Sequence, residues 1–200
     1  MSRCLDIRLQ LVLEDGQNYD WLIGEAVRGG VTCVQWRHKF LNDRDFYHRA
    51  INLKAICRRH RVPLIINDRV DIALAMEADG VHLGQSDMPF EVARRLLPDF
   101  MSIGLSAECF EDVMSAEKLD LDYLAISPVF STPTKTDTAS SFGVDGFKKA
   151  RAMSRHRLVA IGGVNAKNAA LLRQAGADGL AVVSAIGRAE APYEAARGIS

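Results

Sequence analysis

Short, nearly uncharged apolar runs alternate with longer amphipathic ones along the whole chain, and this rhythm restricts the fold more than any other feature. The apolar runs fall at residues 8–13, 32–36, 63–66, 80–83, 101–105, 123–126, 157–161 and 179–183. Several are rich in β-branched residues and almost free of charge, as strands buried on both faces must be. Helical spacing marks residues 19–28, 43–59, 70–77, 90–97, 110–118, 144–153, 166–175 and 192–197. In the seventh of these, Ala169, Leu171, Leu172 and Ala175 make one apolar stripe. Repeated β and α units imply a parallel sheet. Eight such pairs in 200 residues sit at the compact limit of a (β/α)8 TIM barrel. A doubly wound open sheet is the alternative, but no G-x-G-x-x-G follows the first strand. Without a dividing linker, residues 1–200 read as one α/β barrel domain.

Composition adds exclusions. Apolar residues at 48% and charged residues at 25% are ordinary for a globular chain. Twenty-five bases balance twenty-five acids, so bulk charge gives no reason to expect nucleic acid or an anionic membrane as partner. The one dense basic run, Arg58-Arg59-His60-Arg61, falls at a helix end, where cations suit the macrodipole. Cys4, Cys33, Cys57 and Cys109 lack zinc-ligand spacing, and scattered thiols fit a reducing compartment. Arg3, Asp6 and Arg8 interrupt any secretory apolar region, and no run approaches a membrane span. A cytoplasmic protein acting on small molecules is the expectation. The sequence leaves a homo-oligomer open.

In a barrel of this kind the reactive residues lie at the carboxyl ends of the strands. Gln35, Arg37 and Lys39 follow the second strand; Asn67 and Asp68 the third; Gln85 and Asp87 the fourth. Ser106 ends the fifth, Gly162-Gly163 the seventh and Ser184 the eighth. After the sixth comes Ser127-Pro128-Val129-Phe130-Ser131-Thr132-Pro133-Thr134-Lys135, hydroxyl-rich around one lysine. Such a segment reads as a connector or as a binding loop for an anionic, oxygen-rich ligand. Asp68 and Asp87 each read as a helix N-cap or as a ligand to a divalent cation. His82, between Val81 and Leu83, reads as a hydrogen-bonded histidine of the barrel interior. Two anionic subsites emerge. One, with Arg37, Lys39 and the two aspartates, suits a pyrophosphate bridged by Mg²⁺; the other, glycine-rich, suits a monophosphate.

Taken in order, Gln35-Trp36-Arg37-His38-Lys39, Ile66-Asn67-Asp68-Arg69, Gly80-Val81-His82-Leu83-Gly84-Gln85 with Asp87, Gly104-Leu105-Ser106, the 127–135 segment, Ala160-Ile161-Gly162-Gly163 and Val182-Val183-Ser184-Ala185-Ile186 resemble the thiamine phosphate synthase family. The resemblance implies a transferase that joins hydroxymethylpyrimidine pyrophosphate to hydroxyethylthiazole phosphate. It implies that Gln35, Arg37, Lys39, Asn67, Ser106 and Lys135 bind the pyrimidine pyrophosphate, with Lys135, Arg37, Lys39 and Ser106 serving catalysis. It implies that Asp68 and Asp87 hold Mg²⁺, and that Thr132, Thr134, Gly163, Val183 and Ser184 meet the thiazole phosphate, with Pro133 also binding substrate. The chain departs from the family pattern at His38, where Glu is usual, at Ala107-Glu108, and at Leu13-Glu14 after the first strand. A thiazole tautomerase on the same scaffold and a non-catalytic binder of thiamine phosphates are the competing readings. The tautomerase has less use for Asp68, Asp87 and Lys135.

Overall fold

The computed structural model describes residues 5–14, 16, 18–131 and 141–200. Eight strands close a parallel barrel in sequence order: β1 (Leu9–Leu13), β2 (Cys33–Trp36), β3 (Leu64–Asn67), β4 (Gly80–Leu83), β5 (Ser102–Ala107), β6 (Tyr123–Ile126), β7 (Leu158–Ile161) and β8 (Gly179–Val182). β8 returns to β1, with Leu9 opposite Leu180 and Leu11 opposite Val182. The intervening helices are α1 (Tyr19–Arg28), α2 (Asp43–Arg59), α3 (Val70–Ala75), α4 (Phe90–Leu96), α5 (Phe110–Ala116), α6 (Gly143–Met153), α7 (Ala169–Gln174), the one-turn α8 (Ser184–Gly187) and α9 (Pro192–Arg197). The periodic reading thus finds every strand, and α8 is the addition it did not contain. A single turn is too short to show a 3.6-residue period.

Alternation along each strand divides the apolar residues into two cores. Leu9, Leu11, Val34, Trp36, Leu64 and Ile66 face the helices and pack with Ile23, Phe46 and Leu53. Val12, Cys33, Ile65, Tyr123, Val159 and Ala181 fill the barrel interior. Buried polar residues share that interior: Gln10, Gln35, Asn67, His82 and Ser102. Gly104 makes room for Tyr123, because a Cβ there would stand 2.1 Å from its ring.

The floor of the barrel is tied by one repeated bond. Asp79, just before β4, accepts the Leu64 N–H of β3 at 2.8 Å. Asp122, before β6, accepts the Ile103 N–H of β5 at 2.8 Å, and Asp178, before β8, accepts the Leu158 N–H of β7 at 2.7 Å. Thr32, before β2, accepts the Leu9 N–H of β1 at 3.1 Å. Strands are therefore stapled in pairs where N–H groups at their amino ends would otherwise be unmet. The basic run at the end of α2 is structural as well: Arg59 and His60 both reach Asp20 of α1, at 3.0 and 2.8 Å.

Candidate active site

A cavity of about 310 Å³ opens at the carboxyl ends of the strands. Of the expected site residues, Gln35, Arg37, Lys39, Asn67, Asp68, Asp87, Ser106, Gly163, Val183 and Ser184 all line it. Thr132, Pro133, Thr134 and Lys135 lie outside the described residues. The segments that lead to and from them are held together: Phe142 and Gly143 donate N–H bonds to Pro128 and Val129 carbonyls at 3.0 and 2.8 Å.

Neither aspartate caps a helix. Proline and arginine occupy the N-cap positions instead, Pro89 before α4 and Arg69 before α3, and neither helix receives a side-chain cap bond. Asp68 sits in a left-handed conformation, φ 62°, with its N–H on the His82 carbonyl at 2.8 Å. A non-glycine residue held this way is a strained position that the surroundings must enforce. Its carboxyl meets that of Asp87. Burial, followed by the hydrogen bond and charge of Asp87, pushes the Asp68 carboxyl up to about 7, while Lys39 and Arg37 pull it down. Asp87 is oriented by the Gly84 N–H, 2.6 Å from its Oδ2. Asp71, which follows Asp68 at capping-box spacing, instead pairs with Arg69 at 2.7 Å. Arg69 also reaches Asp43 at 2.7 Å, so this cation is engaged away from the aspartate pair.

Arg37 is held at the rim by Glu14, with Nη1 2.5 Å from Oε1. The acid at the end of β1, a departure when the residues were read alone, is thus the partner of a site arginine. His38 has a local task too: its Nδ1 accepts the N–H groups of Phe40 and Leu41, both at 3.1 Å. The ring shapes the turn between β2 and α2, while Phe40 itself stands 95% exposed. Ser106 lies within β5, one residue short of its end, because the strand runs to Ala107. Its hydroxyl meets His82 Nε2 at 2.9 Å, and its carbonyl accepts from Gln85. Glu108, the second departure, lines the cavity.

On the opposite side Gly162 and Gly163 have φ of 97° and 67°. A Cβ on Gly163 would stand 2.8 Å from Phe130 Cβ, so side-chain volume and backbone conformation both demand glycine. Asn165 and Asn168 each donate to the Gly163 carbonyl at 3.0 Å and fix the turn. The helix that follows starts at Ala169, later than the 166–175 pattern indicates, because these two asparagines take up the intervening residues in turn bonds.

The signals that the sequence reading missed are long-range ones. Tyr123 begins an apolar strand and reads as core, yet its hydroxyl bonds His82 Nδ1 at 2.9 Å, directly under the cavity. Only the register that sets Gly104 beside Tyr123 reveals it. Among the described residues no cluster of three or more His, Cys, Asp or Glu side chains could hold a metal. Among them, too, no helix is long and apolar enough to cross a membrane.

Comparison with known proteins agrees with this geometry. The family model described as thiamine monophosphate synthase matches residues 10–186. A thiamine-phosphate synthase of Albidiferax ferrireducens is 51% identical over 95% of this chain and 89% of its own. One from Vibrio parahaemolyticus is 48% identical over 94% of both chains. The solved structure of a thiamine phosphate pyrophosphorylase from Pyrococcus furiosus superposes with a TM-score of 0.86 at 36% identity, covering 98% of this chain and 94% of that one. A 3-hexulose-6-phosphate synthase structure, TM-score 0.70 at 15% identity, shares the fold alone. With a match across most of its length, the chain belongs to the thiamine monophosphate synthase family, a family of transferases.

Proposed function

We propose that the chain condenses hydroxymethylpyrimidine pyrophosphate with hydroxyethylthiazole phosphate, giving thiamine phosphate and pyrophosphate in the cytoplasm. The observation that carries this reading is one cavity shared by two carboxyls in contact, two cations and a glycine turn. Asp68 and Asp87 fit Mg²⁺: two hard oxygen donors, with further positions left to substrate oxygens, are what this ion takes. The Asp68 carboxyl, pushed up by burial and by the Asp87 charge beside it, is also one of a pair whose repulsion a divalent cation would relieve. When bound, Mg²⁺ would supply charge neutralisation to the departing pyrophosphate.

The chain's own residues do the rest. Arg37, aligned by Glu14, and Lys39 meet the pyrophosphate from the β2 side, joined by Lys135 and the Ser106 hydroxyl. Gln35 and Asn67, nearly buried at the base of the cavity, hold the pyrimidine end. Thr132, Pro133, Thr134, Gly163, Val183 and Ser184 hold the thiazole phosphate. As the carbon–oxygen bond breaks, its electron pair leaves on a pyrophosphate oxygen whose new charge these donors accept. The pyrimidine-methyl carbon then takes the lone pair of the thiazole nitrogen. Holding the two rings together replaces a bimolecular encounter, and a closed barrel mouth keeps water from the cationic carbon. No nucleophilic side chain is needed.

The test is direct: incubate the purified protein with both substrates and Mg²⁺, and measure thiamine phosphate and pyrophosphate formed in equal amounts. Binding of either substrate without product at high enzyme concentration would overturn the synthase reading.

A further inference from the structure

Between β2 and α2 the chain leaves the barrel, turns and enters a helix, and Lys39 lies in the middle of that turn. Both ends of the turn are fixed. The Arg37 N–H is held by the Leu13 carbonyl at 2.9 Å, and Asn42 caps α2 by accepting the Asp45 N–H at 3.0 Å. Between these points the N–H groups of Phe40 and Leu41 meet a single atom, His38 Nδ1, each at 3.1 Å. An acceptor that takes the N–H groups two and three residues on closes the chain as an Asx-turn does, here with an imidazole nitrogen in place of a side-chain oxygen.

The partners decide the state of that nitrogen. A backbone N–H can only donate, so Nδ1 accepts and the neutral ring carries its proton on Nε2. The ring is also held from behind. Its centroid lies 5.8 Å from that of fully buried Trp36, with the planes tilted by 35°, and Trp36 packs in turn on Phe46 at 5.8 Å. His38 therefore ties the turn to the layer between barrel and helices.

The lysine ammonium rides on a flexible four-carbon stem, so it is placed no better than the backbone that carries it. Lys39 lines the cavity, whereas the next residue, Phe40, stands 95% exposed. Loss of the two bonds to Nδ1 frees this segment to rotate, and rotation exchanges the side that carries the ammonium for the side that carries the phenyl ring.

We propose that His38 is a positioning residue: by holding the Phe40 and Leu41 N–H groups on Nδ1, it fixes the turn that aims Lys39 into the cavity. That Lys39 meets a pyrophosphate there rests on the synthase reading; the hold on the turn does not.

Two substitutions separate the bonds from the packing. His38→Asn gives up the ring over Trp36 but keeps an acceptor close to the place of Nδ1, while His38→Phe keeps a ring and loses the acceptor. Without ligand, amide hydrogen exchange at Phe40 and Leu41 should be as slow in His38→Asn as in wild type, and at least about tenfold faster in His38→Phe. A crystal structure of His38→Phe should show Lys39 withdrawn from the cavity. Titration with inorganic pyrophosphate and Mg²⁺ should follow the same order, His38→Phe binding about tenfold more weakly, the scale of one hydrogen bond to a charged group. In a Lys39→Ala background, His38→Phe should cause no further loss. Slow exchange in His38→Phe would overturn the proposal, because the ring would then hold the turn by packing alone. A full tenfold loss in the Lys39→Ala background would overturn it too, because the turn would then serve something other than Lys39. A wild-type protein that binds no pyrophosphate would count against the synthase reading instead, and the exchange rates with the place of Lys39 in His38→Phe would still decide for or against His38.

Discussion

Glu14, at the end of β1, holds Arg37, just beyond β2, at 2.5 Å across a half-buried contact. The guanidinium is therefore held in one orientation at the cavity rim. With both side chains about a quarter exposed, removal of the acid costs Arg37 its orientation more than the pair's Coulomb energy. Glu14→Ala should raise the KM for the pyrimidine pyrophosphate about tenfold, while Glu14→Gln, which keeps an acceptor, should recover most of it. Steady-state kinetics on both variants decides; equal KM values for wild type and alanine variant would show that Arg37 needs no such guide.

Asp87 has two tasks that substitution can separate. Its Oδ2 accepts the Gly84 N–H at 2.6 Å, and its carboxyl faces Asp68. Asp87→Asn keeps an acceptor for Gly84 but would weaken the proposed cation site, so turnover should fall at least about 100-fold with a small change in Tm. Asp87→Ala should lose the activity and also some stability, about 1.5–3 kcal/mol for a charge-assisted bond. Retained Mg²⁺-dependent turnover in the asparagine variant would remove Asp87 from the metal site.

The raised Asp68 carboxyl gives a pH dependence of definite sign. The folded protein holds its proton up to about 7, whereas an unfolded chain releases it near 3.8. Folding therefore binds a proton between those values, and this contribution to stability is fully present below the lower value and lost as pH rises through the upper. In chelator, Tm should decline from pH 5 to pH 8 relative to Asp68→Asn. Added Mg²⁺ must displace the proton, so its stabilising effect should grow over the same range. A pH-independent Mg²⁺ effect would show that the ion binds elsewhere.

Gly163→Ala tests the monophosphate side. The new methyl would press on Phe130 Cβ at 2.8 Å in a backbone region that disfavours L-residues. Affinity for the thiazole phosphate should fall at least about tenfold while binding of pyrophosphate changes little, because the two ends of the cavity are built from different strands. Titration with each ligand separately measures this, and equal losses would argue for general unfolding of the rim.

The stapling aspartates make a stability prediction without a catalytic one. Asp122→Ala leaves the Ile103 N–H unmet beneath the barrel, far from the cavity in register. It should cost about 1.5–3 kcal/mol, or a Tm drop of several degrees, with kcat preserved. Lost kcat at a temperature where the variant is folded would contradict a purely architectural role.

Much of this was readable from residue order. The strands were visible because a parallel barrel buries both faces, so Tyr123–Ile126 and Gly80–Leu83 contain no Asp, Glu, Lys or Arg. The rim residues followed once strand ends were known. Asp79, Asp122 and Asp178 each stand just before a strand, but their task is not local: each bonds a strand some 15 to 20 residues earlier. The dual reading of Asp68 and Asp87 had the same origin. Local spacing permits a cap, whereas the N-caps fall one and two residues later, at Arg69 and Pro89, and the two carboxyls meet each other instead. Glu14 stayed hidden for the same reason, since its partner Arg37 follows another strand.

The pairing of β8 with β1 bears on how the protein is made. Leu180 must reach Leu9 across nearly the whole chain before the ring exists. A nascent polypeptide halted before residue 179 already carries Arg37, Asp68 and Asp87, yet it has two open sheet edges and no enclosed mouth. Such edges invite pairing with other chains. Translation through the last strand is thus the step at which an adhesive fragment becomes an enzyme, and ribosome-bound chains should gain ligand binding only after β8 has cleared the exit tunnel.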